Sequence, residues 1–244
     1  MGKVLSVAYG LVCYILFLAT FSYAIGFVNG LVVPKRVDSG TPGPLIPSLL
    51  IDGALLAVFA VQHSVMARPG FKAWWTKIVP APVERSTYVL LASLALILLF
   101  WQWRPLPQAV WNVEGPLATA LWALNAIGWV VLLVSTFLIS HFDLFGLRQV
   151  WAHATGKARP AEPFHTPLFY RYVRHPLYLG FVIGLWAAPH MSLGHLIFAI
   201  GATGYILVGI FLEERDLVAH FGDAYRGYQK RVSMLLPWPP RADA

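Results

Sequence analysis

Four groups of side chains in this sequence have the types and spacing to do chemistry. The run Arg174-His175-Pro176-Leu177-Tyr178 sets a cation, an imidazole and a phenol close together, and Glu213-Glu214 supplies two adjacent carboxylates. His175 and Tyr178 are three apart, so on a helix they share a face. A carboxylate can accept hydrogen bonds from ribose hydroxyls or simply pair with a neighbouring cation, and residue type alone leaves both open. The other groups are Gln62-His63-Ser64 with Arg68, Glu84-Arg85 with Tyr88, and Ser140-His141 with Asp143. Imidazole is the side chain whose ordinary pKa suits proton transfer near neutrality. Cys13 stands alone in an apolar run, so no disulfide framework and no Cys-based metal site is expected.

What positions these groups follows from how apolar the chain is. Hydrophobic residues make up 58% of the 244 and charged residues 12%, and the mean hydropathy is +0.64. A soluble domain carries about twice that charged fraction, so lipid is the solvent implied. The net charge of +7 does not point to nucleic acid, because the basic residues lie between apolar runs rather than in one stripe. A hydrocarbon core of about 30 Å asks for roughly 20 apolar residues in a helix. Residues 4–27, 45–66, 87–103, 116–139 and 195–212 qualify, and a shorter segment covers 176–189. The first run continues past signal-peptide length without a small-residue cleavage site and reads as a retained anchor.

The fold class expected is therefore all-α: a polytopic transmembrane helical bundle of five to six membrane helices. It ends in a helical hairpin turned tightly at residues 190–194. One domain covers 1–244, with N-terminal membrane helices to 139 and the hairpin, its preceding loop and a Pro-rich tail from 140 onward. Placing the N-terminus, alternate loops and the tail in the cytoplasm puts 15 Lys and Arg residues there, Arg159 and Arg241 among them. It leaves three, Lys35, Arg36 and Arg104, on the other side, and the positive-inside bias selects this orientation. All four groups then fall at the cytoplasmic helix ends, where one polar chamber accounts for them. Antiparallel pairing within the hairpin sets residue 175 beside residues 213–214. The 140–175 connection is long for a compact bundle and rich in aromatics, as a lid or binding loop would be.

Much of the remaining polarity has a plain explanation. Arg68, Lys72 and Lys77 suit headgroup anchoring, and Trp74, Trp75, Trp101, Trp103 and Trp111 suit an interfacial belt. His190, His195 and His220 are given no role, and Asp52 is expected to reach the outer interface.

The run from Tyr170 to Gly180, then Glu213-Glu214, Leu217, Phe221-Gly222, Tyr225 and Tyr228, resembles a known cofactor region. It is that of the isoprenylcysteine carboxyl methyltransferase and phospholipid methyltransferase superfamily, where Arg-His-Pro-x-Tyr-x-Gly opens a hairpin and a Glu-Glu pair closes it. Residues 62–72, 84–88 and 141–149 are similar to its NnrU-like branch, so the likeness covers nearly the whole chain. The resemblance implies an enzyme of a bacterial inner membrane, with its active site cytoplasmic. It implies methyl transfer from S-adenosylmethionine to a small thiol, methanethiol, giving dimethyl sulfide. On that basis Tyr170, Arg174, His175, Tyr178, Glu213 and Glu214 are expected to hold the donor, with a carboxylate on ribose and Arg174 or His175 near its carboxylate or adenine. His141 is the first candidate to take the thiol proton, Arg148 a cation that lowers the thiol pKa, and His63 and Arg85 stand second. No metal is required. Other readings are a sister enzyme acting on an isoprenylated thiol or amine lipid, a nicotinamide-dependent reductase, and a non-enzymatic haem or transport partner using His63 and His141.

Overall fold

The structure, a computed structural model, describes residues 2–157 and 164–237. Arg159, Arg241 and most of the Pro-rich tail lie outside the described residues. Among those described, five helices are long and apolar enough to cross a membrane: α1 (Lys3–Asn29), α2 (Leu45–Ala67), α4 (Ala81–Gln102), α5 (Gly115–Ile139) and α9 (Leu193–Phe221). Shorter helices are α3 (Pro69–Trp75), α6 (His141–Leu144), α7 (Leu147–Thr155), α8 (Pro176–Trp186) and α10 (Asp223–Arg231), with a 3₁₀ turn over Leu168–Arg171. Two short strands, β1 (Ala109–Asn112) and β2 (His190–Ser192), pair with each other. Large apolar side chains such as Val4 and Leu5, 84% and 60% exposed, face outward along the spans. Water would not tolerate that surface, and lipid does. The chain is an integral, all-α membrane protein.

It divides into two compact units. The first comprises Met1–Val110, Phe142–Pro160 and Met191–Gly201. Here α1 and α2 both pack on α4, and α7 lies against α1 and α4. Small residues permit the close contacts. A Cβ on Gly10 would stand 2.8 Å from a Val150 methyl, and one on Gly146 would stand 2.8 Å from the Ser86 backbone nitrogen. Gly146 also has φ +88°, a conformation that favours glycine, and it starts α7. Asp52 is fully buried and accepts the Arg104 backbone N–H at 2.8 Å, just beyond the end of α4.

The second unit comprises Trp111–His141, Ala161–His190 and Ala202–Ala244. Its centre is the antiparallel pair α5 and α8. Asn125 donates to the Gly184 carbonyl at 2.7 Å, and a Cβ on Gly180 would meet the Gly128 carbonyl and the Leu132 nitrogen, each at 2.6 Å. With the backbones this close, packing and hydrogen bonding replace the hydrophobic effect that lipid cannot supply.

Several boundaries differ from those read in the sequence. Helix α4 begins at Ala81 rather than residue 87, so Glu84 lies in its first turn, where the helix dipole favours an acid. Helix α9 continues to Phe221, which places Glu213 and Glu214 inside a helix and not at its end. Polar residues after Leu212 are good helix formers, and apolarity was the wrong guide to where the helix stops. The turn at 190–194 contains strand β2, and the long connection contains α6, α7 and the 3₁₀ turn. Eleven residues of α8 reach only about 16 Å at 1.5 Å each, too short to cross.

The α5–α8 contact predicts that Gly180→Ala costs about 1–3 kcal/mol through overpacking. Gly204→Ala in α9, where a Cβ meets nothing within 4 Å, should cost nothing. Thermal unfolding in detergent distinguishes the two, and equal midpoints would refute the close contact.

Candidate functional site

Helix α8 can begin where it does because Pro176 stands at its first position, where a missing N–H costs nothing. His175 precedes it, and α9 returns antiparallel alongside. Trp186 Nε1 donates to Thr203 Oγ1 at 2.9 Å, Tyr178 Oη to Glu213 Oε2 at 2.9 Å, and His175 Nε2 lies 3.0 Å from Glu214 Oε1. These three rungs set residue 175 beside 213–214, as the antiparallel hairpin requires.

Glu214 is the hub. Its Oε1 accepts from Arg174 Nε at 2.6 Å and Tyr225 Oη at 3.4 Å as well as pairing with His175, and its Oε2 accepts from Gln229 Nε2 at 2.8 Å. Arg174 also donates through one terminal nitrogen to the carbonyls of Gln229 and Val232. The backbone N–H groups of Arg174 and His175 donate to Ser233 and Met234 carbonyls, forming a parallel bridge between Val173 and Ser233. The helix α10 and the chain after it are thereby tied to the mouth of the hairpin.

Glu213 is held differently. Its side chain is 42% exposed against 16% for Glu214, and Tyr178 is its donor. Beside it Tyr170 is a buried phenol whose oxygen has no partner among the described residues. Burial, with Glu213 and Tyr228 nearby, raises the Tyr170 pKa, so the group stays protonated and can donate. Burial also raises the pKa of Tyr225 and Tyr228. The ring of Phe164 packs on Phe221, Tyr225 and Tyr228 at 5.2–5.9 Å between centroids. The result is an aromatic wall beside an exposed carboxylate and an unsatisfied phenol. Such a site can accept hydrogen bonds from vicinal hydroxyls, stack a flat ring and favour a positive charge.

All six residues assigned to the donor, Tyr170, Arg174, His175, Tyr178, Glu213 and Glu214, therefore lie in one cluster. Gln229 is an addition that sequence reasoning missed. Its spacing of four from Tyr225 on α10, which carries both to one helix face, was the available signal.

His141 lies in the same unit, two residues past the end of α5. The antiparallel register of α5 and α8 brings it to the end of the pair where α8 begins. It is buried, its Nδ1 is 2.7 Å from Thr136 Oγ1, and its ring stacks on Phe137 at 4.1 Å and 2°. Burial lowers its pKa.

His63, Arg85 and Arg148 belong to the first unit. Tyr88 Oη lies 2.7 Å from His63 Nε2, whose ring is flanked by Phe59 and Tyr88. The Arg85 guanidinium lies over the Tyr88 ring at 4.8 Å, while its Nε donates to the Leu144 carbonyl at 2.7 Å. Arg148 is carried by α7 and lines a groove against α1.

The Arg174–Glu214 pair is nearly buried, with side chains 12% and 16% exposed, so removing one partner strands the other. Arg174→Ala should lower stability by about 3 kcal/mol and free residues 232–237 for proteolysis. Arg174→Lys should fall between, because an ammonium cannot reproduce the fork. Unchanged melting and protease resistance in Arg174→Ala would refute the clamp.

The family model described as NnrU protein matches residues 50–236. The methanethiol S-methyltransferase of Mycobacterium tuberculosis is 56% identical over 242 residues, 99% of each chain. Methanethiol S-methyltransferase 1 of Bradyrhizobium diazoefficiens is 57% identical over 237 residues, 97% of this chain and 83% of its own. Nurim of Mus musculus is 30% identical over 183 residues, 71% of this chain and 69% of its own. No solved structure matches. Matched along most of its length by the family model and along nearly all of it by these bacterial enzymes, the chain belongs to the NnrU family and is a methyltransferase.

Proposed function

We propose that the protein methylates methanethiol to dimethyl sulfide, with S-adenosylmethionine as donor and the reaction at the cytoplasmic side of the membrane. The observation that carries this reading is identity of 50% or more, over nearly the whole chain, with relatives that bear the name methanethiol S-methyltransferase.

The cluster in the α8–α9 hairpin fits the donor on its own chemistry. Glu213 has exposed carboxylate oxygen for ribose hydroxyls, Tyr170 an unsatisfied phenol, and Phe164, backed by the buried Tyr225, a partly exposed aromatic ring for adenine. Arg174 and His175 are both engaged by Glu214, so their part in this proposal is to fix that carboxylate and the tail rather than to meet the donor directly. When bound, S-adenosylmethionine supplies a methyl group made electrophilic by its sulfonium.

His141 takes the thiol proton. Its lowered pKa keeps the imidazole neutral at neutral pH, which is the state able to accept. The thiolate sulfur forms a bond to the methyl carbon as the bond from that carbon to the sulfonium sulfur breaks. Thiolate and sulfonium become two neutral thioethers, and the imidazolium returns its proton to water. Charge collapses in this step, so a water-poor site favours it. His63 and Arg85, joined through Tyr88, are the second candidates for the acid–base work. Arg148, expected to lower the thiol pKa, lines a largely apolar groove of the first unit.

The test is headspace gas chromatography on purified protein supplied with S-adenosylmethionine and methanethiol. Dimethyl sulfide should accumulate in proportion to enzyme. Its absence, with methylation of an amine lipid or isoprenylated thiol, would move the substrate assignment to a sister activity.

His141→Ala should lower kcat by about 100-fold or more at neutral pH. A base with lowered pKa is neutral above that pKa, so wild-type activity should persist below pH 6.5 and fall only as acid protonates the imidazole. Wild-type turnover in His141→Ala at saturating thiol would eliminate it as the base, and the same assay on His63→Ala and Arg85→Gln ranks the alternatives.

A further inference from the structure

The end of α5 carries a hydrogen-bonding pattern that fixes where a proton sits. Thr136 and His141 are both buried, so what their polar atoms meet is decided within the protein rather than by bulk water. The helix ends at Ile139, and Ser140 leaves the helical path, which brings the His141 ring back onto the last turn. There Thr136 Oγ1 lies 2.7 Å from His141 Nδ1 and 2.6 Å from the Leu133 carbonyl oxygen, to which it donates.

A hydroxyl has one hydrogen. Two oxygens 2.6 Å apart need a hydrogen between them, and a carbonyl brings none, so the Thr136 hydrogen points at Leu133. Nothing is then left on the hydroxyl to give to the imidazole, and the contact at Nδ1 is a hydrogen bond only if the ring donates. Nδ1 therefore carries hydrogen, and in the neutral ring the lone pair is on Nε2. The opposite tautomer would set two lone pairs against each other at 2.7 Å in a buried place. Phe137 adds a second constraint. Its ring lies parallel to the imidazole, at 4.1 Å and 2°, and holds the plane of the ring.

We propose that Thr136 is a positioning residue that holds His141 in the Nδ1–H form and so makes Nε2 the atom that takes the thiol proton. This role rests on His141 being the base, as assigned above. The S–H bond breaks, its proton passes to Nε2, and the electron pair stays on sulfur for attack on the methyl carbon. Nδ1 keeps its own proton throughout. In the imidazolium that results, the bond from Nδ1 to Thr136 becomes charge-assisted, and the face of Phe137 lies against a cation. An oxygen without charge gives only modest help to the protonated ring, so Thr136 orients the imidazole without keeping it protonated at rest.

The test reads the proton directly. Full-length protein carrying histidine labelled with nitrogen-15 is held in detergent at neutral pH, and the His141 signals are identified by their loss in H141A. Nδ1 should show the chemical shift of a protonated ring nitrogen, and Nε2 that of a nitrogen bearing a lone pair. In T136V, which removes the hydroxyl at nearly the same shape, the two shifts should move toward each other as the tautomers mix. Its kcat should fall about tenfold or more, with KM for S-adenosylmethionine unchanged. The acid limb of its pH profile should move to lower pH, because the imidazolium has lost an acceptor. T136S keeps the hydroxyl and should restore both. A lone pair on Nδ1 of the wild-type protein overturns the proposal, whether or not T136V folds. So does wild-type kcat in T136V while H141A is inactive. Wild-type turnover in H141A is a different failure, which removes the base reading and the positioning role together.

Discussion

A carboxylate inside a helix that has just crossed hydrocarbon must have its charge answered, and Glu214 is answered from four side. Arg174, His175, Tyr225 and Gln229 all direct polar atoms to it. These partners come from the start of α8 and from α10, and none could be lost without leaving charge or dipole poorly solvated. The hairpin, the tail and the more exposed Glu213 beside them are thus arranged around one largely enclosed negative charge. Glu213 remains available for a ligand because its neighbour absorbs the cations.

Lipid as solvent imposes a second requirement. Helices gain little from hiding apolar surface when the surroundings are equally apolar, so contact must come from fit and from hydrogen bonds. The second unit meets this with Gly128, Gly180 and Gly184, which let α5 and α8 approach until Asn125 reaches a backbone carbonyl. The first unit uses Gly10 and Gly146 in the same way, and it adds an aromatic stack of Phe17 on Phe145 at 4.0 Å. In both units glycine stands where one helix or loop must come within touching distance of another backbone or a branched side chain.

How much of this could be read from the chain alone varied with the physical signal. The five long spans are legible because sustained apolarity has few other meanings, and the pairing of His175 with Glu214 follows from an antiparallel hairpin of known ends. Apolarity did not reveal where α9 stops, because the polar run Glu213 to Asp216 interrupts it while the helix continues. Nor did it reveal α7, whose nine residues were hidden in a connection read as irregular. Gln229 was missed because an amide gives no sign in a sequence of which carboxylate it will meet. The gathering of the six residues assigned to the donor was legible as a motif, but the different settings of Glu213 and Glu214 were not. Adjacent residues on a helix point about 100° apart, and only the packing decides which one is enclosed.

The uninterrupted course of α9 also makes the protein a gauge of its membrane. Its 29 residues extend about 43 Å at 1.5 Å each, well beyond a hydrocarbon core of about 30 Å. The surplus projects as a stiff post, and Glu213 and Glu214 sit on it. A thicker bilayer engulfs more of the post and a thinner one less, unless the helix tilts to compensate. Either response changes the depth or angle at which both carboxylates stand relative to the headgroups. Bilayer thickness and the depth of the hairpin mouth are therefore linked through one unbroken helix.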